Sequence, residues 1–250
     1  MSDRIEGLIL KQTDYRDNAV LLTVMTAACG KISLVAHGAR KLTSKNAASL
    51  LPYARIEFLF DYKEGKTIFR LQNARTVKLY RHLHEDLTLS AAAAVVCEVC
   101  DLLAYDSLDE DTSGRLFAET DQALSLLNDG TDPDVLLAVY ISDMLQLAGL
   151  APAADGCAVC GDVHVVGISA AAGGFVCAAH AAELNVPRQS ITRLRQFRLL
   201  NKASLDQIGK LDGLIENAAE DTAVLVDLLR RHGGLEIRSF AFYQHLNAIE

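Results

Sequence analysis

The stretch from Cys157 to His180 constrains this 250-residue chain more than any other. It runs Cys157-Ala158-Val159-Cys160, then sixteen intervening positions, then Cys177-Ala178-Ala179-His180. A C-x2-C turn points two thiolates at one ion, and a second short turn supplies the other two corners of a tetrahedron. Gly156, Gly161, Gly173 and Gly174 flank the pairs, as expected where backbone folds tightly around a metal. Donors of this softness, without surplus carboxylates, predict one zinc ion rather than magnesium or calcium. Scattered buried thiols are the alternative, but they would not fall into two paired turns with glycine neighbours. His164 is a rival fourth ligand that would have to reach back from beside its own pair, so His180 is preferred. Four protein ligands leave no open position for water, and the zinc is read as structural.

The first 82 residues alternate as strands do. Ile5 to Thr13 and Val20 to Thr26 are apolar-rich runs separated by the polar loop Asp14-Tyr15-Arg16-Asp17-Asn18. Gly30 turns the chain into Lys31 to His37, with Ile32, Leu34 and Ala36 sharing one face. Ile56, Phe58, Phe60 and Tyr62 alternate with Arg55, Glu57 and Asp61. Lys63-Glu64-Gly65-Lys66 reads as a hairpin turn and Thr67 to Gln72 as the returning strand. With a short helix at Leu42 to Leu51, this predicts a five-stranded OB-fold β-barrel, an SH3-like barrel being the competitor. From about Leu83 the period becomes helical. Asp86 to Leu103, Arg115 to Leu127, Pro133 to Leu147, Ser190 to Leu200, Leu214 to Leu229 and Phe240 to Ile249 are the predicted helices. The expected class is α+β: an N-terminal OB-fold nucleic-acid-binding domain at 1–82, then an α-helical domain at 83–250. The zinc-binding module is inserted into the latter at about 153–186.

Charge divides at the same place. Residues 1–82 hold fourteen Lys and Arg against seven acids, a net of +7, and residues 83–250 hold ten against twenty-five, a net of −15. A basic module joined to an acidic remainder predicts that the first half meets a polyanion. Lys31, His37, Arg40, Lys41 and Lys45 cluster on and after the third strand, Lys11 and Arg16 border the first hairpin, and no acid stands between Asp17 and Glu57. Lys11, Arg16, Lys31, Arg40, Lys41 and Lys45 are therefore the predicted nucleic-acid contacts, with Tyr15 and Tyr53 positioned to stack on bases. A second acid-free stretch carries Arg188, Arg193, Arg195, Arg198 and Lys202. Arg193, Arg195, Arg198 and Lys202 form a candidate second basic contact, for nucleic acid or for an acidic peptide. An equal alternative is a solvated face that balances the domain's own acids.

Other chemistry finds little support. Gly65-Lys66-Thr67 lacks the glycine that a phosphate-binding P-loop needs five positions earlier, where Phe60 stands. Cys97-Glu98-Val99-Cys100 lies in an alanine-rich helical stretch and reads as core. The rival from another class is a zinc-dependent enzyme acting on nucleic acid. A zinc deaminase, however, needs a proline before its C-x2-C and an upstream His-x-Glu, and His82-Leu83-His84-Glu85 lacks that spacing. The chain is read as a non-enzyme. No cationic and then apolar segment opens it, and its longest apolar run, around Ala91 to Val96, is too short to span a bilayer. A cytoplasmic protein with reduced thiols and no membrane partner is expected.

The stretch Gly30-Lys31-Ile32-Ser33-Leu34-Val35-Ala36-His37-Gly38-Ala39-Arg40-Lys41 resembles the bacterial RecO family of recombination mediators. The likeness continues through Leu51-Pro52-Tyr53, the Cys-x2-Cys-Gly segment to Gly173-Gly174-Phe175-Val176-Cys177, and Glu236-Ile237-Arg238-Ser239-Phe240. It implies an OB barrel followed by a helical domain with a zinc module. It also implies single- and double-stranded DNA binding, strand annealing, and work with RecR to load RecA onto strands coated by single-stranded-DNA-binding protein (SSB). Lys31, Arg40 and Lys41 would contact DNA, Cys157, Cys160 and Cys177 match metal positions, and SSB would be met through its acidic carboxy-terminal tail. The fourth metal position is often Cys in relatives, where this chain has His180.

Overall fold

The computed structural model describes residues 4–16, 18–39, 50–61, 66–105, 108–211 and 213–247. Five strands open the chain: β1 (Ile5–Tyr15), β2 (Ala19–Thr26), β3 (Gly30–Ala36), β4 (Arg55–Asp61) and β5 (Ile68–Lys78). They close into a barrel in the order β1-β2-β3-β5-β4, with β4 returning to pair with β1. Every pairing is antiparallel except β3 with β5, which run parallel from Ser33↔Ile68 to Val35↔Arg70. This is the OB arrangement, and it replaces the SH3-like alternative.

Alternation explains the core. Ile9, Leu22, Val24, Ile32, Leu34, Ile56, Phe58 and Leu71 turn into the barrel, with Leu50 and Ala54 packed among them. Leu8 and Met25, cross-strand partners on the opposite face, are also fully buried, because helices lie against β1 and β2. Residues 42–49 of the predicted short helix, and 63–65 of the predicted hairpin turn, lie outside the described residues. The last strand runs six residues beyond the predicted Gln72. Its second half is mostly polar (Asn73, Arg75, Thr76, Lys78), so apolar alternation fades while pairing with β4 continues from Asp61↔Arg70 to Arg55↔Lys78.

Eight helices follow among the described residues: α1 (His82–Glu85), α2 (Leu87–Leu103), α3 (Glu110–Asn128), α4 (Pro133–Leu147), α5 (Ala178–Glu183), α6 (Ile191–Leu200), α7 (Ala218–Gly233) and α8 (Arg238–Asn247). Their starts are chemically marked. Asp86, Asp109, Asp132 and Ser190 each accept a backbone N–H from the first turn they cap, and Pro133 opens α4. Helix α3 begins five residues before the predicted Arg115, where Asp109 caps it. Helix α7 begins four residues after the predicted Leu214 and is capped after Gly233 by Gly234, whose φ of +66° suits the left-handed cap position. Cys97 and Cys100 sit inside α2, fully buried, and burial pushes the Cys100 thiol up to about 12. They are core, as read. No helix of the described residues is long and apolar enough to cross a membrane.

Contacts divide the chain into two compact units, one reaching to Gly130 together with the residues from Phe242 on, the other Thr131–Ala241. In the first unit, α3 is tied to the barrel by partly buried polar groups. Arg55 of β4 donates to Glu6 (2.5 Å) and to Asp121 of α3 (2.9 Å), and the buried Tyr80 hydroxyl donates to the same Asp121 (2.5 Å). Burial beside that carboxylate pushes the Tyr80 phenol up.

In the second unit, a two-stranded sheet, β6 (Val165–Ser169) with β7 (Gly174–Cys177), lies between α4 and α5 in sequence. Gly174 has φ +143°, and a Cβ there would sit 2.5 Å from the Ala153 carbonyl oxygen. That crowding comes from the paired hydrogen bonds Ala153 N–H to Gly173 O (2.9 Å) and Phe175 N–H to Ala153 O (2.8 Å). Gly174→Ala is expected to destabilise this unit by about 2 kcal/mol or more, seen as a lower melting temperature. A neutral result would show that the strand pair is looser than this approach implies.

Candidate metal centre and nucleic-acid interface

The metal centre is assembled by three short pieces of backbone. Cys157 opens a tight turn in which the Gly161 N–H donates back to its carbonyl at 2.8 Å, and Cys160 ends the turn. Gly161, at φ +77°, then reverses the chain, and the Cys157 N–H donates to Asp162 O at 2.8 Å. Cys177 is the last residue of β7 and the cap of α5, whose first turn brings His180 round to it.

The ligand atoms of Cys157, Cys160, Cys177 and His180 all lie within 4.8 Å of one another. His180 Nδ1 is 3.2 Å from Cys177 Sγ and 3.5 Å from Cys157 Sγ, and Cys160 Sγ is 3.9 Å from Cys177 Sγ. Such a group can hold one metal ion. His164 is not part of it. Its ring is almost fully exposed and faces Asp162 at 3.1 Å.

Electrostatics favour the ligating thiolate at Cys157 and Cys177, whereas Cys160 and His180 are pushed up by the neighbouring sulfurs. Burial pushes the Cys157 thiol up, but the backbone N–H groups of Cys177, Cys160 and Val159 more than reverse this and hold it at about 6. The His180 N–H and imidazole hold Cys177 below the ordinary thiol value. In return the two sulfurs, Cys177 first, raise His180. Four donors sharing too few protons is the condition a divalent cation relieves.

The predicted basic residues fare unevenly. Lys11 and Arg16 are exposed on and after β1. Lys31 is not free: its ammonium donates to the Asp101 carbonyl (2.7 Å) and carboxylate (3.0 Å) at the end of α2. Arg40, Lys41 and Lys45 lie outside the described residues. Tyr53 is half-buried against the His84 ring, centroids 5.8 Å apart, with its hydroxyl donating to Ser90 O, so it packs rather than presents a face to bases. Tyr15 instead lines a cleft.

That cleft, of about 320 Å³, opens where the β1–β2 turn, the end of β3 and the start of β5 meet. Tyr15, Arg16, His37, Lys66, Phe69 and Arg70 line it, with Asp61 as its one acid. The strand alternation that exposes Arg70 was legible in Thr67 to Gln72. Its meeting with Arg16, fifty-four positions earlier, was not.

In the second basic stretch, three of the four cations pair with the domain's own acids, as the alternative reading expected. Arg193 is buried and ion-paired with the fully buried Asp221 of α7, so it belongs to no surface contact. The i, i+3 and i, i+7 spacings of a helix cannot tell which cation turns inward until the facing helix is known. Arg198 and Lys202 both donate to Asp155, each at 2.7 Å, two residues before Cys157. Of the four, Arg195 is exposed with no ion pair among the described residues. This face mainly docks the metal module onto α6, a contact that Phe175 and Phe197 reinforce with ring centroids 5.6 Å apart.

Comparison with known proteins agrees with this layout. The family described as Recombination protein O N terminal matches residues 1–80, and Recombination protein O C terminal matches residues 84–240. The chain belongs to the RecO family. Relatives named DNA repair protein RecO align over the full length of both chains. They include those of Bacillus cytotoxicus, 28% identical over 254 residues, and of Bacillus cereus (strain AH187) and Bacillus anthracis, each 26% identical. RecO is a family of DNA repair and recombination mediators, not of catalysts. The rival reading as a zinc-dependent enzyme is thereby set aside.

Proposed function

We propose that this RecO-family chain is a DNA-binding recombination mediator whose barrel meets the nucleic acid and whose metal is a structural zinc. In this reading it binds single- and double-stranded DNA and anneals complementary strands. With RecR it helps load RecA onto SSB-coated single strands in the cytoplasm, at the nucleoid, and it meets SSB through that protein's acidic tail. In this reading the division of labour would fall near residue 82, a boundary supported by the family matches to residues 1–80 and 84–240. The observation that carries the reading is the cationic cleft at one end of an OB barrel in a chain of this family. OB folds take nucleic acid strands on this side, between the turns after strands one and four. Lys11 and Arg16 from the described residues, with Arg40, Lys41 and Lys45, would contribute phosphate contacts; Lys31, engaged by Asp101, would have to exchange that partner.

Zinc is the metal the donors suit. Zinc–sulfur bonds of about 2.3 Å and zinc–nitrogen bonds of about 2.0–2.1 Å give tetrahedral edges of about 3.5–3.8 Å. Three of the separations, at 3.2, 3.5 and 3.9 Å, straddle that range, and all lie within 4.8 Å. Cys157, Cys160, Cys177 and His180 would hold the ion, which would supply folding free energy rather than reactivity.

The test is binding to labelled single strands over a range of salt, followed by annealing of complementary strands with and without SSB. Arg40→Ala with Lys41→Ala is expected to weaken binding and to flatten the dependence of log affinity on log salt by about 1.4, two phosphate contacts' worth. An unchanged slope would remove those residues from the interface. RecR or SSB capture with no DNA affinity would recast the protein as a scaffold.

A further inference from the structure

We infer that Cys160 is a redox-modification site: a peroxide converts it to a disulfide with Cys177, and the metal is released. The inference rests on the structural-zinc reading above and goes beyond it.

Exposure sets Cys160 apart from its fellow ligands. Cys157 and Cys177 are buried, at 3% and 5% exposure, in the small core that Val176 and Ala181 share with them. Sulfurs so enclosed resist oxidation. Cys160, at the end of its turn, is exposed. The backbone beside it is bare: nothing lies within 4 Å of where a Cβ would stand on Gly161. A small oxidant can reach this side chain while the module stays folded.

The other three cysteines lack this combination. Cys97 and Cys100 are buried inside α2. Cys29 is exposed but belongs to no group of metal-ligating side chains among the described residues. Cys160 has both an open approach and a second sulfur at hand, since Cys177 Sγ stands 3.9 Å away. A disulfide is about 2.05 Å long, so forming one asks for only about 2 Å of travel.

The chemistry balances with one peroxide. A thiol that coordinates zinc is already deprotonated, so the loaded protein presents a thiolate at Cys160. That sulfur attacks one oxygen of hydrogen peroxide, the O–O bond breaks, hydroxide leaves and a sulfenic acid forms. The Cys177 thiolate then attacks the Cys160 sulfur, the S–S bond forms, the S–O bond breaks and a second hydroxide leaves. Each sulfur gives up one electron, and the peroxide takes both. Cys157 and His180 remain, and two donors in place of four do not retain the ion. The loss is passed to α6, because Asp155, which holds Arg198 and Lys202, lies two residues before Cys157. A dithiol reductant reverses the link by exchange.

The experiment treats the zinc-loaded full chain with hydrogen peroxide, reads released zinc with a colorimetric chelator and maps disulfides after alkylation. Zinc release is expected to track a Cys160–Cys177 link, and a dithiol with added zinc should restore the loaded protein. Cys160→His keeps a fourth donor without the exposed sulfur. It should hold zinc and release it roughly tenfold or more slowly under the same peroxide. The mapping uses unaltered protein, so misfolding of a variant cannot imitate it. A link mapped elsewhere, equal release from Cys160→His, or a wild type that keeps its zinc under peroxide would overturn the inference. A purified chain that neither carries nor takes up zinc would overturn the structural-zinc reading itself.

Discussion

Stripping the metal is expected to melt residues 153–186 and to leave the barrel folded. The local core of this segment is small: Cys157, Val176, Cys177 and Ala181, with Val165, Val166, Ala172 and Val186 packed on it. No side chain in it is larger than valine, too little apolar area to offset the ordering of some thirty residues. In zinc-finger peptides the ion contributes about 10–16 kcal/mol at pH 7, and such segments are unfolded without it. The damage should reach α6, because the module holds that helix through Asp155 to Arg198 and Lys202, through Phe175 against Phe197, and through the Gln189 N–H to Val166 O. Metal analysis should give one ion per chain, and limited proteolysis after chelation should cut within 153–186. Cys177→Ser should reproduce that cleavage, and His180→Ala should weaken metal retention. His164→Ala should change neither, since its ring faces Asp162 and solvent. A chelated protein that resists protease as well as the loaded one would show the ion to be dispensable for the fold.

The contrast between this centre and the basic surfaces explains what one sequence can and cannot disclose. Ligands three residues apart are fixed by local turns, so Cys157 with Cys160, and Cys177 with His180, announce themselves by spacing alone. Even the preference for His180 over His164 follows from which residue shares a turn with Cys177. The barrel is equally legible while one face is apolar, from Ile5 to Leu71. It fades along Asn73 to Lys78, where the pairing partner and not the side chains maintains the strand. The β6–β7 hairpin escaped notice because Gly167, Gly173 and Gly174 replace strand formers where backbones approach closely. Charges are the hardest to read. Lys31 and Arg193 looked like surface cations because their partners, Asp101 and Asp221, stand 70 and 28 positions away on other elements. Of the cleft residues, Tyr15, Arg16 and His37 are legible as part of a basic surface, but Lys66, Phe69 and Arg70 are not, since the β1–β2 turn, the end of β3 and the start of β5 meet only in the fold.

Breaking the Arg193–Asp221 pair is expected to destabilise the second unit by about 3–5 kcal/mol, the usual consequence of leaving one buried charge without its partner. Both side chains are buried between α6 and α7, and Asp221 is fully so. Arg193 has a second acid nearby, Glu220 at 3.7 Å, but that carboxylate is largely exposed. One Asp221 oxygen takes the guanidinium while the other, Oδ2, is buried without a donor. Burial therefore outweighs the attraction of Arg193, and the carboxyl is pushed up to about 6. An unfolded aspartate titrates near about 3.9. Between those values the folded chain keeps a proton that the unfolded chain has lost. Stability should therefore fall as pH rises from about 4 to about 6, by on the order of 2–3 kcal/mol, and level off above. Asp221→Asn should abolish that slope while still leaving Arg193 without a charge partner. Asp221→Ala should lower the melting temperature by roughly 2–4 °C for each kcal/mol lost. Replacing both residues, Arg193→Met with Asp221→Leu, should recover most of the loss, since an apolar pair of similar volume needs no compensating charge. Urea titrations of the four proteins at pH 4, 6 and 8 check all of this. A double variant no more stable than Asp221→Ala would mean that the pair contributes geometry which packing alone cannot replace.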